Sequence, residues 1–127
     1  MTISLLLNYP DVFKVGIAGG PVTDWHMYEV MYGERYMDRP EENEEGYEMT
    51  NLSNKADQLD ARLMMIHGTV DDVVVMQHSM QLVQAFVEAG KRVDFMPYPM
   101  HPHNVRGKDR VHLMQTILDY LSSNIDR

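Results

Sequence analysis

The sequence of 127 residues contains no cysteine. Disulfide bonds, thiol nucleophiles and zinc–thiolate sites are therefore excluded. The sequence also has no apolar run approaching the roughly 20 residues of a membrane-spanning helix. Its first nine residues, MTISLLLNY, are too short and too uncharged to form a secretory signal. We therefore expect no membrane contact from this segment.

Positive charge is scarce, since 11 Lys and Arg residues stand against 19 Asp and Glu residues, for a formal net charge of -8. This balance argues against nucleic acid or an anionic membrane as a partner. Much of the negative charge lies in the run RPEENEEGYE, residues 39–48. Such a run is typical of a solvated loop or helix start, with an acidic docking site as the less favoured alternative. The length and the 44% hydrophobic content fit one globular domain over residues 1–127.

Three short apolar segments, rich in β-branched residues or alternating in polarity, predict strands at residues 13–18, 63–67 and 93–98. Residues 2–8 and 76–89 have helical patterns, and residues 51–61 predict an irregular connection. A last helix is predicted near residues 110–124, with five apolar side chains directed inward: Val111, Met114, Ile117, Leu118 and Leu121. The alternation of strands and helices predicts an α/β fold, in which a parallel sheet has helices on both faces.

In such sheets functional side chains collect in the loops beyond the carboxyl ends of the strands. The second loop offers Asp71 and Asp72, and the third offers His101 and His103. An Asp–His pair on adjacent loops lets the carboxylate hold one ring nitrogen while the other faces a substrate. From the residues alone, Asp71 is more typical of a helix cap. The HPH sequence at 101–103 leaves half of a metal site as an alternative, although no further ligand lies at a suitable spacing.

The order of a hydrolase triad on this type of sheet is serine, acid, histidine, with the serine in a G-x-S-x-G turn. Asp71 and His103 follow that order, but the sequence contains no such turn. Ser4 lies in an apolar helical run and Ser53 in a polar connection, and the other serines follow the aspartate. If the pair belongs to a triad, its nucleophile is not encoded in these residues.

Three segments carry a family resemblance: DVFKVGIAGGPVTDWHMYEVMYGERYMDRP, IHGTVDDVVVMQHSMQLVQAFVEAG and HPHNVRGKDRVHLMQTILDYL. In this order they resemble the end of the catalytic domain of the prolyl oligopeptidase family, especially its dipeptidyl peptidase IV branch and the bacterial prolyl tripeptidyl and dipeptidyl peptidases. The resemblance covers nearly the whole chain and implies the C-terminal part of an α/β-hydrolase domain. In that family the motif G-W-S-Y-G-G-Y directly precedes a segment similar to MTISLLLNYPDVF, which implies a serine upstream of Met1.

The resemblance assigns roles to individual positions, requires no metal or organic cofactor and implies a periplasmic or cell-surface location. Asp71 and His103 match the acid and the base of the triad. The other matches form a site for a peptide substrate that contains proline. Val22, Trp25, Tyr28 and Tyr32 match the walls of the proline pocket, Val74 matches a smaller contact beside it, and Glu29 matches an acidic position near the free amino terminus of the substrate. Without the resemblance, the aromatic residues from Trp25 to Tyr36 are typical of a core-facing helix.

Two departures from the family pattern leave dipeptidyl and tripeptidyl specificity open. Val73 stands where the mammalian dipeptidyl peptidases have an asparagine, and Asn104 stands where many relatives have a glycine. The β-propeller domain of the family is absent from these residues. One expected function is the C-terminal part of a serine exopeptidase that cleaves after proline near the N-terminus of peptides and is inactive alone. The alternative is a non-catalytic module that forms a homo-oligomer through the unpaired sheet edge beside residues 13–18.

Overall fold

The structure, a computed structural model, describes residues 1–27 and 35–125. Its three strands are β1 (Val15–Gly19), β2 (Arg62–Gly68) and β3 (Asp94–Tyr98), which form one sheet in the order β1-β2-β3. Both pairs of neighbouring strands are parallel. The predicted parallel sheet is therefore confirmed. The predicted strand ends differ from the observed ones by at most two residues.

Within the described residues, the sheet is accompanied by α-helices and by short 3-10 helices. They are α1 (Thr2–Asn8), α2 (Glu44–Thr50), α3 (Gln77–Glu88), α4 (Lys108–Asn124) and the 3-10 helices Trp25–Met27 and Leu52–Gln58. The acidic run provides a helix start, because Asn43 caps α2 by accepting a hydrogen bond from the Gly46 amide at 3.1 Å. Among the helices of the described residues, none combines the length and the apolar character that crossing a membrane requires.

The segment 51–61 is not an irregular connection as predicted. Its 3-10 helix buries Leu52 and Ala56, which lie four residues apart and join the core formed with α1 and α3. Between them Asn54 is exposed and Ser53 and Lys55 are half-buried. These three polar residues hide the apolar spacing when only the composition of the segment is considered.

The alternating side chains of β2 point to two separate apolar clusters. Leu63 and Met65 pack with residues of α1 and α3, including Leu6 and Phe86. Ile66 packs with Tyr98 and Val105 in the second cluster, which the α4 residues Leu113 and Ile117 cover. Since side chains alternate across a strand, these clusters lie on opposite faces of the sheet. Helices on both faces are therefore confirmed.

The predicted inward face of α4 is partly wrong. Val111, Met114 and Leu118 are 73%, 45% and 56% exposed. The side of α4 that contacts the sheet instead includes Leu113 and Ile117. Apolar side chains occupy two sides of this helix, so their spacing does not select which side faces the sheet.

Candidate active site

Two loops follow neighbouring strands and meet at the carboxyl edge of the sheet. The acid loop, residues 69–76, follows β2, and the histidine loop, residues 99–107, follows β3. The loops are tied together by hydrogen bonds from the Thr69 amide to the Tyr98 carbonyl and from the Val70 amide to the His101 carbonyl, both at 3.1 Å. The parallel pairing of β2 with β3 thus places the predicted acid and base side by side.

Asp71 and His103 form a direct hydrogen bond across these loops. His103 Nδ1 lies 2.7 Å from Asp71 Oδ2. The Asp71 side chain is 0% exposed, whereas that of His103 is 36% exposed. Asp72 is exposed on the surface of the loop. The predicted contact of Asp71 rather than Asp72 with His103 is therefore confirmed, while the catalytic roles of the pair stay a prediction.

The second oxygen of Asp71 is held by backbone amides. Oδ1 accepts hydrogen bonds from the amides of Val73 at 2.9 Å and Val74 at 2.8 Å. Burial alone would raise the pKa of Asp71, but hydrogen bonds from Val74, His103 and Val73 together hold that pKa below its ordinary value of 3.8. An ionised carboxylate only accepts hydrogen bonds, so the proton of neutral His103 lies on Nδ1 and its Nε2 is left as an acceptor.

The simpler interpretation of Asp71 as the cap of the next helix is wrong. Helix α3 begins at Gln77, and its N-cap position, Met76, makes no side-chain capping hydrogen bond. The bonds from Asp71 go instead to the amides of its own loop and to His103. They shape the acid loop and leave the carboxylate directed at the imidazole.

A second histidine lies behind Asp71. It is His67, whose ring is fully buried. Its Nε2 atom lies 2.7 Å from the Val74 carbonyl and 3.3 Å from Asp71 Oδ2, and Nδ1 lies 2.7 Å from Ser79 Oγ. A carbonyl only accepts, so Nε2 of His67 carries a proton. The His67 ring therefore supports the acid loop by donating to the Val74 carbonyl, and it lies directly behind the Asp71 carboxylate.

The two histidines of the HPH sequence bind separate carboxylates. His101 Nε2 lies 2.6 Å from Asp109 Oδ2 at the start of α4, whereas His103 faces Asp71. Within residues 1–27 and 35–125, no three His, Asp or Glu side chains are grouped to hold a metal ion. The alternative of a half metal site therefore has no geometric support in this part of the chain.

Val22 and Trp25, two of the predicted substrate contacts, line a cavity of about 600 Å³ beside Gly20. Gly20 has a φ of +51° and lies against the site, because a Cβ there would be 2.8 Å from His103 Cε1. Val74 is buried next to Asp71, to which its amide donates. The remaining predicted contacts lie outside the described residues: Tyr28, Glu29 and Tyr32.

Gly68 lies in close contact with the backbone of the histidine loop. A Cβ there would lie 2.2 Å from the Pro102 carbonyl oxygen and 2.3 Å from the His101 carbonyl oxygen. Backbone atoms do not rotate aside, so we expect Gly68→Ala to displace the histidine loop and to lower the free energy of unfolding by about 1–3 kcal/mol. The measurement is urea denaturation, with two-dimensional NMR to follow the shifts of His103.

Gly19→Ala is the matched control, since a Cβ at Gly19 meets nothing within 4 Å and this glycine does not need a left-handed backbone. Its unfolding free energy should stay within about 0.5 kcal/mol of the parent value. Equal effects of the two substitutions would contradict the close approach at Gly68.

A parallel sheet with a buried acid and a partly exposed histidine on adjacent strand ends is the arrangement typical of an α/β-hydrolase domain. The solved structures described below share this fold. A sequence profile of the prolyl oligopeptidase family matches residues 1–127. The chain belongs to the prolyl oligopeptidase family.

Several relatives are dipeptidyl peptidases by name. The chain is similar to the crystal structure of a candidate dipeptidyl aminopeptidase IV from Bacteroides ovatus, with a TM-score of 0.96 and 54% identity over 98% of this chain and 18% of that one. Dipeptidyl peptidase 4 of Porphyromonas gingivalis gives a TM-score of 0.93 and 35% identity over 96% of this chain and 18% of that one. Dipeptidyl peptidase 8 of Homo sapiens is 35% identical over 98% of this chain and 14% of its own length. The chain spans less than a fifth of each relative.

Proposed function

We propose that this chain is the C-terminal part of the catalytic domain of a serine exopeptidase that cleaves after proline near the N-terminus of peptides. The observation that carries the proposal is the 2.7 Å contact between buried Asp71 and partly exposed His103. The dipeptidyl peptidase names of its relatives support a peptidase reaction, and membership of the prolyl oligopeptidase family supports proline as the recognised residue. Whether two or three residues are released depends on positions beyond this pair.

The pair is suited to proton transfer. With its Nδ1 proton held by Asp71, His103 uses Nε2 to take the proton of a serine hydroxyl as the serine attacks the peptide carbonyl. The same imidazole then returns the proton to the leaving amine. The buried carboxylate of Asp71 stabilises the imidazolium between these two steps and keeps the ring in one orientation.

The nucleophile comes from a segment upstream of Met1 in this proposal. Ser79 is buried and bonded to His67, and Ser4 lies in α1 near Asn8 rather than at His103. In the part of the chain that the structure describes, the hydrogen bond of the His103 ring goes to Asp71. A serine on an elbow that directly precedes α1 would complete the order serine, acid, histidine.

The substrate side of the proposal rests on the cavity beside Gly20. Val22 and Trp25 provide apolar walls there, to which Tyr28 and Tyr32 would add aromatic rings. A pyrrolidine ring suits such a slot, because proline has no amide hydrogen that needs an acceptor. Glu29 would bind the free amino terminus of the peptide, and Val74 would support the slot from the acid loop.

The coding sequence immediately upstream of Met1 tests this proposal directly. A continuous reading frame with a G-x-S-x-G motif shortly before Met1 is the expected result. A stop codon or an unrelated sequence at that place would overturn it. Labelling of the intact polypeptide by a fluorophosphonate, followed by peptide mapping, should then place the reactive serine on that motif.

A second candidate function is a self-associating module, and one observation favours it. Within the described residues, β1 is an edge strand with no neighbour on its outer side. The Lys14 carbonyl and the Gly20 amide form hydrogen bonds with β2. Since the backbone groups of successive residues in a strand point to alternate sides, those of Val15 and Ile17 point to the open side. Such an edge is a template for pairing with a second copy.

We therefore expect residues 1–127 to form homo-oligomers in sedimentation equilibrium experiments. Val15→Pro removes an outward amide at the first position of β1, where proline is tolerated, and should shift the chain toward monomer. Val15→Thr keeps the amide and the branched side chain and should leave the association unchanged. A monomeric parent chain, or equal association of both variants, would reject pairing through this edge.

A further inference from the structure

The first turn of α3 carries two buried polar residues that face different loops. Neither His78 nor Ser79 is exposed. Ser79 bonds to His67 behind Asp71, as described above. His78 instead reaches the substrate loop, residues 20–25, which carries Val22 and Trp25. Adjacent positions on one helix therefore support the acid side and the substrate side of the site separately.

His78 holds the substrate loop through Thr23. The Thr23 amide donates to His78 Nδ1 at 3.1 Å, and the Thr23 hydroxyl donates to the His78 carbonyl at 2.9 Å. The Thr23 carbonyl accepts from the Leu52 amide at 2.9 Å. Because Thr23 is buried, water cannot take the place of these hydrogen bonds, and the loss of any one of them would leave a buried polar group without a partner. His78 thus holds both the amide and the hydroxyl of Thr23, a residue that lies between Val22 and Trp25.

The protonation state of His78 follows from this geometry. A backbone amide only donates, so Nδ1 of His78 is unprotonated and the ring proton lies on Nε2. The Asp24 amide lies at 3.5 Å from the same nitrogen. A cationic ring would place an N–H group against the Thr23 N–H group, which breaks the bond.

The surroundings of His78 also favour the neutral ring. Burial is the largest influence and lowers the pKa of His78, and nearby His67 lowers it further. The carboxylates of Asp24 and Asp71 and the backbone of Met27 act in the opposite direction without cancelling the effect of burial.

We propose that His78 is a positioning residue for substrate binding, whose neutral imidazole fixes the substrate loop by accepting a hydrogen bond from the Thr23 amide. It acts through Thr23 on Val22 and Trp25 and does not itself contact the peptide. The substrate side of this inference rests on the proposed function. The contact between His78 and Thr23 is a property of the 127-residue chain and is testable without catalysis.

NMR on the full 127-residue chain provides the first test. Long-range ¹H–¹⁵N spectra should show the His78 ring with the proton on Nε2 at neutral pH. Hydrogen exchange of the Thr23 amide should be about tenfold faster in His78→Leu, as expected when a buried hydrogen bond is lost. His78→Asn places a side-chain oxygen near the position of Nδ1 and should restore the protection.

Ser79→Ala is the matched control, because it removes a buried hydroxyl from the adjacent residue without touching Thr23. It should leave Thr23 exchange unchanged. Two results would overturn the proposal: a proton on Nδ1 of the parent chain at neutral pH, or equal Thr23 exchange in the parent and in His78→Leu. The tautomer measurement needs no variant, so it decides even if His78→Leu fails to fold.

The pH profile adds an independent test. The folded pKa of His78 lies below its ordinary value of 6.5, so the unfolded chain binds this proton more readily. The stability that the neutral ring contributes is fully present above pH 6.5, the ordinary pKa of histidine, and is lost as the pH falls through the lower pKa of the folded state. Thr23 protection should fall over the same window in the parent and stay level in His78→Asn. A level profile in the parent would count against the proposal.

Kinetics of the intact polypeptide separate positioning from general stability. His78→Leu should raise KM about tenfold and change kcat by less than about twofold, and His78→Asn should restore KM. A drop in kcat with KM unchanged would overturn the assignment to substrate binding. The proposed function would be contradicted if the intact polypeptide, with His78 unchanged, cleaved no proline peptide. The NMR results test the contact between His78 and Thr23 separately.

Discussion

Residues 1–127 alone are expected to cleave a proline-containing aminopeptide chromogenic substrate about a million-fold more slowly than the intact polypeptide. The magnitude follows the loss of turnover seen when the nucleophile of a serine triad is removed. His103 keeps its contact with Asp71, but without a serine it can only activate water. The measurement is chromophore release by both forms at equal concentration, after purification away from host peptidases.

His103→Ala in the 127-residue chain is the control for residual activity. If His103 still activates water, this substitution should remove the remaining rate above background. Cleavage at an ordinary peptidase rate that survives purification and is unaffected by His103→Ala would contradict both the triad assignment and the upstream position of the serine.

Asp71→Asn in the intact polypeptide is expected to lower kcat about 10⁴-fold, as the equivalent change does in a well-studied serine protease triad. An asparagine amide that donates to Nδ1 leaves the ring proton on Nε2, where it cannot accept the serine proton. Because the substitution preserves the shape of the side chain, KM should change far less than kcat. Steady-state kinetics on the same chromogenic substrate measure both quantities.

Asp72→Asn is the matched control, since Asp72 is the exposed neighbour and carries the same charge. Its kcat should stay within about twofold of the parent value. Similar losses for Asp71→Asn and Asp72→Asn would show that the net charge of the loop, rather than the contact with His103, determines the rate. In the 127-residue chain, NMR should show the Nδ1 proton of His103 in the Asp72→Asn variant and its absence in the Asp71→Asn variant.

The polar groups behind the pair suggest why it is held in one arrangement. Asp71 Oδ1 is fixed by two loop amides, and His67 lies against the other oxygen. Gly68 lets the histidine loop approach the end of β2 closely. His67 and Gly68 lie at the end of β2, a rigid part of the fold, and the two amides come from the loop that directly follows it.

The sequence by itself determined the three strands, the helices α1, α3 and α4, and their order, but not the 3-10 helix Leu52–Gln58. Apolar segments separated by helical patterns specify a parallel sheet because local periodicity and turn residues act over a few neighbouring residues. The sequence also placed Asp71 and His103 on consecutive strand ends, where parallel pairing brings loops together. Family resemblance, rather than spacing, selected Asp71 over Asp72, since both carboxylates lie in the same loop.

Only the tertiary structure decided which polar groups meet. His78 and Thr23 are 55 residues apart, so their hydrogen bond depends on how α3 packs against the loop after β1. The same packing directs His101 to Asp109 and His103 to Asp71, although the two histidines are separated by a single proline. It also selected the side of α4 that covers the sheet. These outcomes depend on long-range contacts and burial, whereas the periodicity of the sequence indicates only which residues share a face of one helix or strand.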